Sequence, residues 1–199
     1  AITAATQTCD GGSWAASSTA TTTDPITLTY TTTNSEAGSN NYFAFVCDDD
    51  NTCSSSTSGT FTVNLTPTSP TSPTQLKDDA TTTIPNGSTT NESNVRVRAS
   101  VTDPDTTETI TLFFEVATNS GTFTSTSTPT TGTSCASGTA WSSCATKVWY
   151  ATSSSGDYSS TPFTGTTSVA GLTHGEDYKV QVKACDDGSF CSSWVAFNA

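Results

Sequence analysis

The sequence is short of positive charge. Six of its 199 residues are Lys or Arg against eighteen Asp and Glu, a net charge of −12. Nucleic-acid binders neutralise phosphates with a basic stripe, and six scattered cations cannot build one. No apolar run approaches the roughly 20 residues of a membrane span, and none forms the about 7–15-residue core of a retained signal peptide. Membrane insertion is therefore not expected. Histidine is represented once, by His174, and no Gly-x-Ser-x-Gly elbow frames a nucleophile. No catalytic residues are assigned, and the chain is not expected to be an enzyme. Methionine is absent and helical periodicity is missing. What is plentiful is hydroxyl: 46 Thr and 30 Ser. Thr is β-branched and suits strands and turns better than helices. The composition predicts an all-β, secreted chain.

Seven cysteines bear on the compartment. Cys47 and Cys53 have five residues between them, as do Cys185 and Cys191, and Cys135 and Cys144 are also close in sequence. Zinc ligation is the rival reading, but zinc sites favour gaps of about two to four residues and histidine partners. Disulfides in an oxidising space are the expectation, with Cys9 left unpaired or intermolecular. Three sequons, at Asn64, Asn86 and Asn91, suit an extracellular or cell-surface location.

The chain contains a repeat. Tyr42-Phe-Ala-Phe-Val-Cys47-Asp-Asp-Asp-Asn-Thr-Cys53-Ser-Ser lies beside Tyr178-Lys-Val-Gln-Val-Lys-Ala-Cys185-Asp-Asp-Gly-Ser-Phe-Cys191-Ser-Ser, with the paired cysteines at an offset of 138. Each copy reads as a β-hairpin with a disulfide near its tip. Two related domains follow, joined by a connector at 67–74 punctuated by Pro67, Pro70 and Pro73. In the second, residues 75–199, alternation predicts strands at Asn94–Val101, with Val95, Val97, Ala99 and Val101 inward, and through Ile110, Leu112, Phe114 and Val116. Leu172 six residues before Tyr178 suits a tyrosine corner, in which the phenol bonds back to the backbone.

The run Gly171-Leu-Thr-His-Gly-Glu-Asp-Tyr-Lys-Val-Gln-Val-Lys-Ala-Cys-Asp-Asp-Gly resembles the end of a fibronectin type III or related immunoglobulin-like module. From Pro73-Thr-Gln-Leu through Val101-Thr-Asp-Pro-Asp to Ser193-Trp-Val-Ala-Phe197 the chain is similar to tandem repeats of long bacterial cell-surface proteins. The resemblance covers Pro73–Ala199 and, in part, Cys9–Val63. It implies two immunoglobulin-like β-sandwiches in tandem and a role as an extracellular spacer, adhesin stalk or fibre subunit.

The repeats are unequal. Cys9-Asp-Gly-Gly-Ser-Trp14 resembles Cys135-Ala-Ser-Gly-Thr-Ala-Trp141, yet sixty positions separate Gln75 from Cys135 while eight residues precede Cys9. The first domain, residues 1–66, therefore lacks counterparts of the strands at Val95–Val101 and Ile110–Val116. A few strands with one bare apolar face are marginal in water and expose a sheet edge to other chains. Either the sequence opens partway into a longer repetitive polypeptide, or a neighbour completes the sandwich by strand addition, and head-to-tail addition that does not close builds filaments. The expectation is a homopolymeric, pilus-like fibre whose partners are copies of itself. The alternative is a non-polymeric adhesin stalk that binds surface glycans through Trp14, Trp141, Trp149 or Trp194.

No cofactor is required by these residues, although calcium is a candidate. Asp48, Asp49, Asp50, Asp103, Asp105, Glu108, Asp186 and Asp187 cluster in turns and offer the oxygen ligands that hard cations need. Asp also favours turns by bonding its own backbone, which competes with that reading.

Overall fold

The computed structural model describes residues 2–3, 8–9, 27, 29–32, 36, 38–48, 50, 52–124, 129, 134–144 and 149–197, with backbone alone for 2–3 and 8–9. The described chain is all-β: eleven strands, a 3-10 turn at Trp141–Ser143, and no α-helix. It divides into two compact units, Ala1–Asn64 and Leu65–Ala199.

In the first unit, β1 (Ile2–Thr3) pairs with β2 (Thr8–Cys9), and β3 (Gly38–Ala44) pairs antiparallel with β4 (Thr57–Val63). The second unit is a sandwich of two antiparallel sheets. One holds β5 (Thr71–Lys77), β6 (Val95–Val101) and β9 (Phe163–Val169), ordered β5-β6-β9. The other orders β11-β10-β7-β8 from β7 (Glu108–Thr118), β8 (Trp149–Gly156), β10 (Tyr178–Cys185) and β11 (Val195–Ala196).

Alternation places the core. Val97, Ala99 and Val101 of β6 are buried, while Arg96, Arg98 and Ser100 between them stay partly exposed. They face Ile110, Leu112, Phe114 and Val116 of β7 and Val180, Val182 and Ala184 of β10. Strand β7 departs from simple alternation, because Thr111, Phe113, Glu115 and Ala117 on its other face are buried as well. It is a central strand, and Phe113 joins Trp149 and Cys185 in a second cluster under Trp194. Tyr178 is a tyrosine corner: its hydroxyl accepts from the Thr173 N–H at 3.1 Å, while Trp141 packs edge-on against its ring at 5.4 Å.

Residues 67–74 are not a free connector. Pro67 and Pro70 are buried, Thr68 N donates to Thr102 O at 2.9 Å, and Thr71 is already the first residue of β5. Proline lacks a ladder donor, which edge strands tolerate. The segment thus forms the edge of the β5-β6-β9 sheet, and the second unit begins at Leu65.

The two hairpin tips repeat bond for bond at the offset of 138. Disulfides close Cys47–Cys53 and Cys185–Cys191 with Cα separations of 4.0 and 4.1 Å. Asp48 N donates to Thr52 O at 3.0 Å, as Asp186 N does to Phe190 O. Thr52 N returns to Asp48 Oδ1 at 2.7 Å and Phe190 N to Asp186 Oδ1 at 2.8 Å. Val46 N and Ala184 N donate to the hydroxyls of Ser54 and Ser192 at 3.2 and 3.1 Å. Strand β3 therefore stands where β10 stands, and β4 where β11 stands. Flanks differ: β10 lies between β11 and β7, whereas β3 pairs only with β4 among the described residues.

Candidate functional site

The acidic residues of the second unit gather at one end of the sandwich. Because β10 runs antiparallel to β7, with Cys185 opposite Thr111, the β10–β11 tip lies beside the start of β7. The turn between β6 and β7 carries Asp103, Asp105 and, at the first position of β7, Glu108. The tip carries Asp186 and Asp187. Each buried Asp spends one oxygen on the backbone. Asp103 Oδ1 accepts from Asp105 N at 3.0 Å, Asp105 Oδ2 from Leu65 N at 2.6 Å, and Asp186 Oδ1 from Phe190 N at 2.8 Å. The second oxygens, Asp103 Oδ2, Asp105 Oδ1 and Asp186 Oδ2, are buried with no hydrogen-bond partner.

The electrostatics report crowding. Burial raises the Asp103 carboxyl above its usual range, against the Asp105 N–H bond, and the charges of Asp105, Asp186 and Asp187 add to the rise. Burial likewise raises Asp186, opposed by the N–H groups of Phe190 and Gly188 and assisted by Asp187 and Asp105. Glu108 is pushed up to about 8, first by the hydrogen bond it shares with the Asp187 carboxylate, then by partial burial and the charges of Asp187, Asp186 and Asp105. The ion pair of Arg96 with Asp78 at 3.4 Å lies at the other end of β6. Among the described residues no three His, Cys, Asp or Glu side chains are placed to hold a metal ion. Beside Asp186 and Asp187 opens a cavity of about 350 Å³, lined also by Thr109, Ser153 and Ser189.

The remaining acidic candidates do not join this group. Asp48 and Asp50 sit in the first tip, where Asp48 Oδ1 accepts from both Asp50 N and Thr52 N, which is ordinary turn chemistry. Asp49 lies outside the described residues. Cys135–Cys144 forms the third disulfide, and the side chain of Cys9 in β2 lies outside the described residues. Asn86 and Asn91 are exposed between β5 and β6, whereas Asn64 is half-buried. His174 is exposed in the turn before β10. Trp149 is buried, while half-buried Trp141 packs on Tyr178 and half-buried Trp194 lies beneath the Lys183 ammonium, 5.7 Å from its ring. The described tryptophans therefore form no open carbohydrate platform, and Trp14 lies outside the described residues.

One polar network has no counterpart in the sequence reading. Glu115, fully buried in β7, accepts from Gln181 Nε2 and Thr124 Oγ1, both at 2.7 Å, and from Thr124 N. The signal available was a lone Glu inside the apolar run Thr111–Val116.

The second notable surface is in the first unit. Applying the 138 offset, Tyr42, Ala44 and Val46 correspond to Val180, Val182 and Ala184, all buried in the sandwich core. Tyr42 is 48% exposed and Val46 59%, and Ala44 is exposed too. The hairpin's aromatic contacts, Tyr30 and Tyr42 on Phe61 at 6.4 and 6.5 Å, leave that face open. Comparison with known protein families, curated proteins and solved structures returns no match for this chain.

Proposed function

We propose that this chain is a structural subunit of an extracellular or cell-surface filament. In this reading residues 1–66 are a partial immunoglobulin-like domain and the second unit is a complete one. A neighbouring copy supplies the missing strands by adding along the open edge of β3, head to tail. One observation supports it above the others: the hairpin tip of the second unit recurs bond for bond in the first, but residues matching buried Val180, Val182 and Ala184 face solvent. Burying a side chain of Val or Tyr size is worth roughly 1.5–3 kcal/mol. A two-stranded ribbon alone is marginal in water, so a covering sheet supplies what the local sequence does not. Strand addition contributes backbone hydrogen bonds as well as side-chain pockets. Three disulfides suit an oxidising, extracellular setting, and the net charge keeps assembled material soluble.

Light scattering across concentration, with negative-stain microscopy of the native material, tests the reading. Assembly into fibres is expected, and Tyr42→Lys/Val46→Lys is expected to abolish it while leaving the melting of the second unit unchanged. A monodisperse 20.5 kDa monomer at all concentrations would refute polymerisation. That result would return the chain to a non-polymeric stalk module.

A further inference from the structure

We propose that the acidic end of the second unit is a proton-operated latch between the β6–β7 turn and the β10–β11 tip. Protons on Asp103 and Asp186, and one held between Glu108 and Asp187, let the two loops close; losing them drives the loops apart. The carrying observation is a pairing of like groups. Glu108, at the first position of β7, shares a hydrogen bond with Asp187 of the tip. Carboxylates only accept, so a hydrogen bond between two of them needs a proton on one. Behind that pair Asp103 and Asp186 are 0% and 7% exposed, and each buries one oxygen that accepts no hydrogen bond. A buried charge without a partner is costly, and a carboxyl so placed holds its proton instead.

The surroundings supply repulsion. The charges acting on Asp103, Asp186 and Glu108 are carboxylates, those of Asp105 in the turn and of Asp186 and Asp187 in the tip. Asp105 is itself buried, and its Oδ2 holds Leu65 N at 2.6 Å. The β8–β9 connection brings Tyr158, whose carbonyl accepts from Asp103 N at 3.0 Å while its hydroxyl donates to Ser154 Oγ. Asp157 beside it is taken by the N–H and hydroxyl of Ser159. On β10, Lys183 holds its ammonium over the Trp194 ring. The first tip is an internal control: it has the same turn bonds around Asp48, but there the residue is exposed. Turn chemistry therefore explains the bonded oxygen of Asp186 and not the buried one beside it.

The direction of the pH response follows. Burial raises Asp103 and Asp186, and the hydrogen bond to Asp187 leads in pushing Glu108 up to about 8. An unfolded chain releases the same protons near pH 4, so between about pH 4 and 8 the folded unit holds more protons and its stability falls as pH rises. Hydrogen bonds from Thr82 and Ser159 hold Asp79 and Asp157 low, and these two oppose the trend only below about pH 4, where their contribution is lost. Greatest stability therefore lies near pH 4–5, on the acid side of the common range of about 5–8. Parting the loops also pulls on Leu65, the first residue of the unit, through Asp105. The latch concerns the second unit alone and does not depend on polymerisation.

The test uses the full chain with disulfides intact, in EDTA, melted at a series of pH values and followed by tryptophan fluorescence. The melting temperature of the second unit should peak near pH 4–5 and fall by about 5 °C or more by about pH 8.5. Glu108→Gln keeps a donor for Asp187 without titrating, and Asp103→Asn puts an amide where the protonated acid stands. Each should raise the melting temperature at about pH 8.5 and flatten the fall, which a merely structural role would not do. Asp48→Asn in the first tip should leave the profile unchanged. Carboxyl-carbon NMR of the native chain should show a side-chain carboxyl titrating at about 8 that Glu108→Gln removes. A melting temperature that is flat or rises from about pH 5 to 8.5 would overturn the inference, as would a fall that neither variant reduces. So would native side-chain carboxyls that all titrate below about pH 6.

Discussion

Gly165 sits in the middle of β9, opposite Ala99 of β6, and packs against Thr152 of β8 and Leu112 of β7 in the other sheet. A Cβ at this position would stand 2.6 Å from Thr152 Cγ2, 2.8 Å from Leu112 Cδ1 and 3.1 Å from Phe163 Cζ. Two effects of Gly165→Ala oppose one another. Loss of backbone freedom in the unfolded chain favours Ala by roughly 0.5–1 kcal/mol. Overpacking costs typically 1–3 kcal/mol where neighbours cannot retreat. Leu112 is fully buried in the core and Thr152 is short and β-branched, so neither side chain can swing clear. The clash wins, and Gly165→Ala should destabilise the second unit by about 1–2 kcal/mol. Urea unfolding with disulfides intact, followed by tryptophan fluorescence, measures it, since three of the four tryptophans lie in this unit. Thr152→Ala removes the nearest methyl. The double mutant should therefore recover about 0.5–1 kcal/mol relative to the sum of the single changes. Equal or greater stability for Gly165→Ala, or strict additivity in the cycle, would refute the packing argument.

Two further outcomes follow from buried polar groups. Burial pushes the Tyr150 phenol up to about 12, and its hydroxyl donates to Thr139 O at 3.0 Å. An unfolded Tyr ionises near 10, so between about pH 10 and 12 the unfolded state loses its proton first and stability falls as pH rises. Alkaline unfolding monitored by tyrosinate absorbance should show one phenol released only with unfolding; titration of every tyrosine before unfolding would contradict this. Glu115→Leu should cost about 2–4 kcal/mol, because Gln181 Nε2 and Thr124 N then lose their acceptor inside the protein. Glu115→Leu/Gln181→Leu should cost less than the sum of its parts in denaturant unfolding, and strict additivity would count against the network.

Local patterns decided much of the architecture. Alternation at Val95–Val101 announced β6 and its inward face, because a period of two is a property of the chain and needs no partner to be seen. The paired Cys-x5-Cys tips, their Asp-capped turns and the tyrosine corner were also legible, since each is built from bonds spanning eight residues or fewer. Tertiary structure decided the rest. The prolines of residues 67–74 read as a connector, and only pairing with β6 shows that they belong to the sandwich edge. Burial of both faces of β7, which turns Glu115 from a break in the pattern into a satisfied buried acid, depends on segments that cover it from elsewhere in the sequence. Eight acidic residues looked alike along the chain. Antiparallel pairing of β7 with β10 brings five of them to one end and buries three, while the matching tip of the first unit leaves its Asp48 in solvent. Sequence records which residues carry charge and in what period. Which charges lose their water depends on strands more than sixty positions apart, and that is a property of the fold.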